Sequence, residues 1–151
     1  DERDMKEANL EEGIDSTLVI LNNQLKNSID IKRDYSGIPP ILCFPGQLNQ
    51  VFMNISNNAI HAIDEKGTIT ISTKSDESTI AIRISDNGKG ISKEVQEHIF
   101  EPFYTTKGVG EGTGLGLSIS YGIITKHNGS IEVESEIDKG TSFIIKLPIE
   151  A

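Results

Sequence analysis

The hydrophobic period changes along this chain in an order that few folds accept. From about Leu10 to Lys26, the apolar residues Ile14, Leu18, Leu21 and Leu25 recur at spacings of four and three, the period of an amphipathic helix. Residues 27–35 alternate around Ile29 and Ile31 as a strand does, and Ser36 to Pro40 form a turn or extended connection. A second helix is predicted from Pro45-Gly46 to about Ile63. Two alternating runs follow, Thr68 to Thr73 and Thr79 to Ser85, with Ile69, Ile71, Ile80, Ile82 and Ile84 inward; the polar stretch Lys74 to Ser78 between them marks a hairpin. Ser92 opens a short helix to about Ile99, with Glu94 helping at its start. Residues 104–114, rich in Gly, Thr and Lys, read as a loop. A third long helix is expected from about Leu115 to His127, stopped by Asn128-Gly129. Strands Ser130 to Glu136 and Thr141 to Leu147 close the chain around a turn at Asp138-Lys139-Gly140. Helix, strand, helix, hairpin, helix, strand, strand is not the strict alternation of a doubly wound parallel sheet. It predicts an α+β sandwich with helices on one face of a sheet.

One such domain accounts for 151 residues. Residues 1–9 are polar and are expected to be a linker or the tail of an upstream helix, with the folded domain spanning 10–151. The chain opens at Asp1 without a methionine, so it is expected to be a piece of something longer. With 36% hydrophobic and 25% charged residues and no apolar run near the length of a bilayer span, a soluble, cytoplasmic domain is expected, whether or not its parent is membrane-anchored. The net charge of −9 repels phosphate backbones, which argues against nucleic acid and anionic membranes as partners. The single cysteine, Cys43, allows no internal disulfide and is expected to be buried.

Three clusters carry chemistry. On the second helix, Leu48, Val51, Phe52, Ile55, Ala59, Ala62 and Ile63 form one apolar stripe at 100° per residue, and Asn54, Asn58 and His61 fall along its edge. An asparagine oxygen is a hard neutral ligand that suits Mg²⁺ whose other ligands are water and phosphate; a solvated polar face is the plain alternative. Asp86-Asn87-Gly88-Lys89-Gly90-Ile91 directly follows a strand. Its carboxylate can accept from an adenine amino group, its glycines permit close backbone approach, and Ile91 can pack on a ring; an ordinary Asn-Gly turn is the alternative. Gly110 to Leu117 has glycines leading into a helix, an anion site built from backbone N–H groups. No Gly-Lys-Ser/Thr follows, so it is not a Walker loop, and no strand leads into it as in a dinucleotide fold.

In this order the segments become specific. Asn54-Ile55-Ser56-Asn57-Asn58-Ala59, Asp86 to Ile91, Ile99-Phe100-Glu101-Pro102-Phe103-Tyr104-Thr105-Thr106-Lys107 and Gly112-Thr113-Gly114-Leu115-Gly116-Leu117 resemble the N, G1, F and G2 boxes of the sensor histidine kinase catalytic domain. Gly140-Thr141-Ser142-Phe143 is similar to the family's ending, and Pro45 to Val51 and Pro102 to Lys107 look like the subgroup of nitrogen-regulation sensor kinases. The resemblance covers about residues 10–149. It implies the Bergerat ATP-binding fold shared with gyrase and MutL ATPases, a mixed sheet of about five strands with helices on one side. It implies ATP and Mg²⁺ as cofactors, with Asn58 as the direct metal ligand and Asn54 holding a metal-bound water or the triphosphate. Asp86 would read the adenine amino group with Thr141 assisting through water, and Ala62, Gly88, Gly90 and Ile91 would line the ring. Phe103 and Tyr104 would anchor the lid, Thr105 and Thr106 would belong to the nucleotide site, Lys107 would meet the phosphates, and Gly112, Thr113, Gly114, Leu115, Gly116 and Leu117 would supply amides. Gyrase-like relatives carry a water-activating glutamate where Asn54 stands. Asparagine cannot take that proton, which favours holding ATP for transfer over hydrolysing it.

Many family members have Lys or Arg where His61 stands, so His61 is either a phosphate contact or a plain rim histidine. The family's phosphoacceptor lies on an upstream dimerising hairpin and is followed by an acidic residue. His98 precedes Ile-Phe and His127 precedes Asn-Gly, so both are expected at the surface and no self-phosphorylation is expected from this chain alone. Implied partners are that hairpin, a sister subunit and a response-regulator receiver domain, with this piece monomeric and the whole protein a homodimer. A serine-directed or ATP-hydrolysing relative, a nucleotide-switched pseudokinase and a nucleotide-free interaction domain are the competing classes.

Overall fold

The computed structural model describes residues 4–25, 28–104 and 116–150. The described elements are, in order, β1 (Lys6–Ala8), α1 (Leu10–Leu25), β2 (Ile29–Asp34), β3 (Ile41–Cys43), α2 (Pro45–Ala62), β4 (Gly67–Ser75), β5 (Thr79–Asp86), α3 (Lys93–Gln96), α4 (Gly116–Lys126), β6 (Ser130–Glu136) and β7 (Gly140–Pro148). Five strands form one mixed sheet in the order β2-β4-β5-β7-β6, parallel between β2 and β4 and antiparallel elsewhere. The α+β sandwich and its helix-covered mixed sheet are as the sequence predicts.

The alternating isoleucines explain the layering. Ile69, Ile71, Ile80, Ile82, Ile84 and Ile145 are buried against the helices, while the other sheet face carries the ion pairs Arg83–Glu134 at 3.2 Å and Lys146–Glu132 at 3.5 Å. On α1 the predicted stripe of Ile14, Leu18, Leu21 and Leu25 is buried together with Leu10. On α2 the buried face is broader than predicted, because Ser56 and Ile60 join Leu48, Val51, Phe52, Ile55 and Ala59. This helix packs against α1 on one side and α4 on the other, so it is covered beyond the stripe that faces the sheet. The approach to α1 is close at Gly13, where a Cβ would stand 2.5 Å from Asn49 Oδ1.

Several elements differ from expectation. Within the polar stretch 1–9, Lys6 to Ala8 form a strand that pairs antiparallel with Ile41 to Cys43 as a separate two-stranded sheet. Three residues are too few to show a period, and the pairing depends on backbone groups alone. Buried Cys43 lies in that sheet. The helix opened by Ser92, whose hydroxyl caps Val95 N–H at 3.2 Å, is one turn long and gives way to turns before Ile99. His127 is corrected outright: it is 5% exposed, not a surface residue. Its Nδ1–H donates to the Ile123 carbonyl at 2.8 Å and its Nε2 accepts the Phe44 N–H at 3.1 Å, so a neutral ring ties the end of α4 to the start of α2. The pattern Lys-His-Asn-Gly at a helix end looked solvated because the partner strand end, Phe44, is 83 residues away.

Exposed Gly122, in the middle of α4, has nothing within 4 Å of where its Cβ would stand. Alanine there removes unfolded-state freedom without a clash. Gly122→Ala is expected to raise stability by about 0.5–1 kcal/mol, read as a higher urea midpoint with an unchanged slope.

Candidate functional site

Asp86 ends β5 on the row it shares with Thr141 of β7, and the two are direct cross-strand partners. Its Oδ1 accepts the Gly88 N–H at 2.8 Å. Burial pushes the Asp86 carboxyl above the usual carboxylate range, opposed by the backbone N–H groups of Gly88 and Thr141. The loop that follows is sewn to its surroundings. Lys89 N–H donates to the Ala62 carbonyl at 3.0 Å, Asp138 N–H donates to the Lys89 carbonyl at 2.8 Å, and Ile91 N–H donates to Ser135 Oγ at 2.8 Å. Gln96 Nε2 donates to the carbonyls of Ile91 at 2.7 Å and Ser135 at 3.2 Å.

The glycines of this loop serve the protein's own backbone. A Cβ on Gly88 would lie 2.2 Å from the Ala62 carbonyl oxygen; on Gly90, 2.0 Å from that of Glu136; on Gly140, 2.0 Å from that of Asp86. Gly90 and Gly140 also hold positive φ, +74° and +118°. The close approach read from the sequence is therefore chain against chain: the end of α2, the 86–91 loop and the β6–β7 turn lock into one block. Half-buried Ile91 lies within it, packed against the core.

The asparagine edge of α2 behaves unevenly. Asn54 bridges to α4: its Nδ2 donates to the Gly116 carbonyl at 3.0 Å and Ser120 Oγ at 3.1 Å, and its Oδ1 accepts from Gln50 at 2.8 Å. Asn58, one turn on, is half-buried, and no hydrogen bond among the described residues occupies its amide. An uncommitted amide oxygen suits a hard cation such as Mg²⁺. Ala62 touches the Gly88 backbone. His61 is exposed and lines a groove of about 440 Å³ with Asn23, Gln24, Ser28 and Asp64, at the ends of α1 and α2. Gly116 and half-buried Leu117 begin α4, and the dipole of a helix start favours an anion.

Around residues 98–104 the expected anchors are redistributed. Tyr104 lies over His98, ring centroids 5.2 Å apart, and His98 Nδ1 meets Glu101 Oε2 at 2.6 Å. The hydrogen bond and charge of Glu101 raise the His98 pKa, with Glu97 and Glu94 adding to it. Phe103, expected as an anchor, is 72% exposed. Phe100 takes the inward place instead, packing on Tyr121 at 5.4 Å and Phe143 at 6.4 Å. The remaining expected contacts, Thr105, Thr106, Lys107, Gly112, Thr113, Gly114 and Leu115, lie outside the described residues. Sequence reasoning missed Phe100, Gln96, Ser120 and Ser135, whose partners come from other elements.

A helix-covered mixed sheet that ends in a half-buried carboxylate, beside a helix edge of asparagines and the start of another helix, is the architecture of an ATP-binding catalytic domain. Residues 44–151 match the family described as histidine kinase-, DNA gyrase B-, and HSP90-like ATPase, and the chain belongs to that family. It is 44% identical over 136 residues to Sporulation kinase E of Bacillus subtilis (strain 168), covering 88% of this chain and 18% of that protein. It is 31% identical to the nucleotide-free catalytic domain of histidine kinase ThkA, covering 97% of this chain and 99% of that one with a TM-score of 0.87. It is also 30% identical to ThkA solved in complex with the response regulator protein TrrA, with a TM-score of 0.82, covering 96% of this chain and 42% of that one. The chain thus spans about a fifth of the length of the first of these relatives, and it is the ATP-binding catalytic domain of the histidine-kinase type.

Proposed function

We propose that this domain holds Mg·ATP between α2, the 86–91 loop and the start of α4, and donates the γ-phosphate to a histidine on a separate dimerising hairpin. The observation that carries the reading is that the 86–91 loop seats on the end of α2: half-buried Asp86 heads that loop, and Asn58, one turn before Ala62, makes no side-chain hydrogen bond among the described residues. Asn58 is the direct metal ligand. Asn54 sets the start of α4 against α2 and reaches the triphosphate or a metal-bound water. Ala62, Gly88, Gly90, Ile91 and Thr141 line the base; Tyr104 roots the lid, with Phe103, Thr105 and Thr106; and Lys107 with Gly112 to Leu117 meets the phosphates. Bound Mg²⁺ supplies charge neutralisation between phosphate oxygens. With Asn at position 54 no side chain of that position can take a proton from water, so transfer to a protein is favoured over hydrolysis. Likeness to ThkA, solved with a response regulator, supports a receiver domain as the next acceptor; a cytoplasmic setting and a homodimeric whole protein complete the reading.

Calorimetry with ADP, with and without Mg²⁺, tests the reading. Binding no tighter than millimolar in both conditions overturns it. Asn58→Ala is expected to weaken Mg·ATP binding about tenfold and leave metal-free binding nearly unchanged; an unaltered metal dependence removes Asn58 from the metal.

A further inference from the structure

Three strands end in one polar row. Asp86 of β5 lies opposite Thr141 of β7, which lies opposite Ser135 of β6. Thr141 is buried. The Ser135 hydroxyl has three partners, each at 2.8 Å: the Ile91 N–H, the Gly140 carbonyl and the Thr141 hydroxyl. Counting protons fixes the direction of the last contact. A hydroxyl has one proton and two lone pairs. The Ile91 N–H can only donate, so it takes one lone pair of Ser135. The Gly140 carbonyl can only accept, so it takes the Ser135 proton. What remains for Thr141 is a lone pair, and Thr141 must donate to it. Its single proton is spent inward, and its own lone pairs are what it offers to anything beside it.

The neighbouring backbone donors are spent in the same way. Asn87 N–H goes to the Thr68 carbonyl at 3.3 Å, Gly88 N–H to Asp86, Lys89 N–H to the Ala62 carbonyl and Ile91 N–H to Ser135. Next to the Asp86 carboxylate, then, the N–H groups of Asn87, Gly88, Lys89 and Ile91 are engaged, the Thr141 N–H is turned on the carboxylate itself, and the Thr141 hydroxyl presents its lone pairs. We propose that Ser135 is a specificity-determining positioning residue: by consuming the Thr141 proton it makes the purine end of the site an array of acceptors, which admits a 6-amino purine and disfavours a 6-oxo purine. The 6-amino group brings N–H donors to that array. A 6-oxo group brings another acceptor, and an acceptor buried against acceptors stays unpaired. This inference rests on the nucleotide site proposed above. It adds that selectivity is set partly by a side chain turned away from the base.

Binding of Mg·ADP and Mg·IDP, measured by calorimetry on the purified domain, tests it. The wild type is expected to prefer ADP. Ser135→Ala frees the Thr141 proton for the base, and the ADP/IDP affinity ratio is expected to fall about five- to tenfold. Ser135→Thr keeps the hydroxyl and should hold the ratio within about twofold of wild type. A folded Ser135→Ala with the wild-type ratio, or a Ser135→Thr that shifts as Ser135→Ala does, overturns the proposal. Should Ser135→Ala fail to fold, Thr141→Val decides: it keeps Ser135 bonded to Ile91 and Gly140 but removes the acceptor, so the ratio should fall, and an unchanged ratio overturns the proposal. A wild type that binds neither diphosphate overturns the nucleotide site itself, and this inference with it.

Discussion

Gly90→Ala is expected to cost roughly 3–5 kcal/mol of stability, a large part of what holds a domain of this size. Two terms add at this position. The backbone sits at φ +74°, where an L side chain is disfavoured by about 1–2 kcal/mol. The new Cβ would also stand 2.0 Å from the Glu136 carbonyl oxygen, an atom held in place by the β6–β7 turn rather than the end of a flexible side chain. Gly37 separates the terms: its φ is +81°, with nothing within 4 Å of its Cβ position. Gly37→Ala should therefore cost only about 1–2 kcal/mol. Urea unfolding of the two variants against wild type measures the difference. If they lose the same amount, the β6–β7 turn yields and the block around the 86–91 loop is softer than its contacts imply. Where the cost is as large as expected, nucleotide binding should fall too, because the contacts that aim Asp86 and Ile91 run through the same loop.

That loop also shows what could be read from sequence and what could not. The strand before it, the carboxylate at its head and its two glycines were legible, since alternation and chain chemistry are local. Why glycine is needed at 88 and 90 was not, since the atoms that exclude a side chain belong to Ala62 and Glu136. Ser135 reads as one more polar residue on an alternating strand until the register places it against Thr141. His127 was misread for the same reason: its partner Phe44 is brought to it by the packing of α4 on α2. Asn54 was legible as a polar residue on the edge of α2, but its bonds to Gly116 and Ser120, which fix α4 against α2, were not. Both links join the same two helices, one near each end of α4, so the seating of α4 on α2 is set by contacts at Asn54 and His127 together. Periodicity finds elements; partners across elements require the fold.

Asp86→Asn is the sharpest test of how the site trades stability for recognition. Removing the charge that accepts from a purine amino group should weaken ATP binding about 10- to 100-fold, the range of a hydrogen bond to a charged group. Stability should move the other way. Burial raises the Asp86 carboxyl above its ordinary value, so the folded state holds this proton more tightly than the unfolded chain. Through the window from the ordinary carboxylate pKa up to the raised one, the folded state binds more protons, and the Asp86 contribution to stability falls as pH rises. Below that window the contribution is fully present; above it, it is lost. Asparagine keeps the neutral form at every pH and can still accept the Gly88 N–H. The variant should therefore match wild type in acid and gain on it as pH rises through the window. Exposed Asp76, whose carboxyl is lowered by the N–H groups of Ser78 and Thr79, acts in the opposite sense, but it is common to both proteins and cancels in the difference. Thermal or urea unfolding of both proteins from the carboxylate range to neutral pH gives that difference directly. A variant less stable than wild type at pH 7 would mean that the bonds from Gly88 and Thr141 outweigh burial, and that Asp86 is held charged by the fold rather than against it.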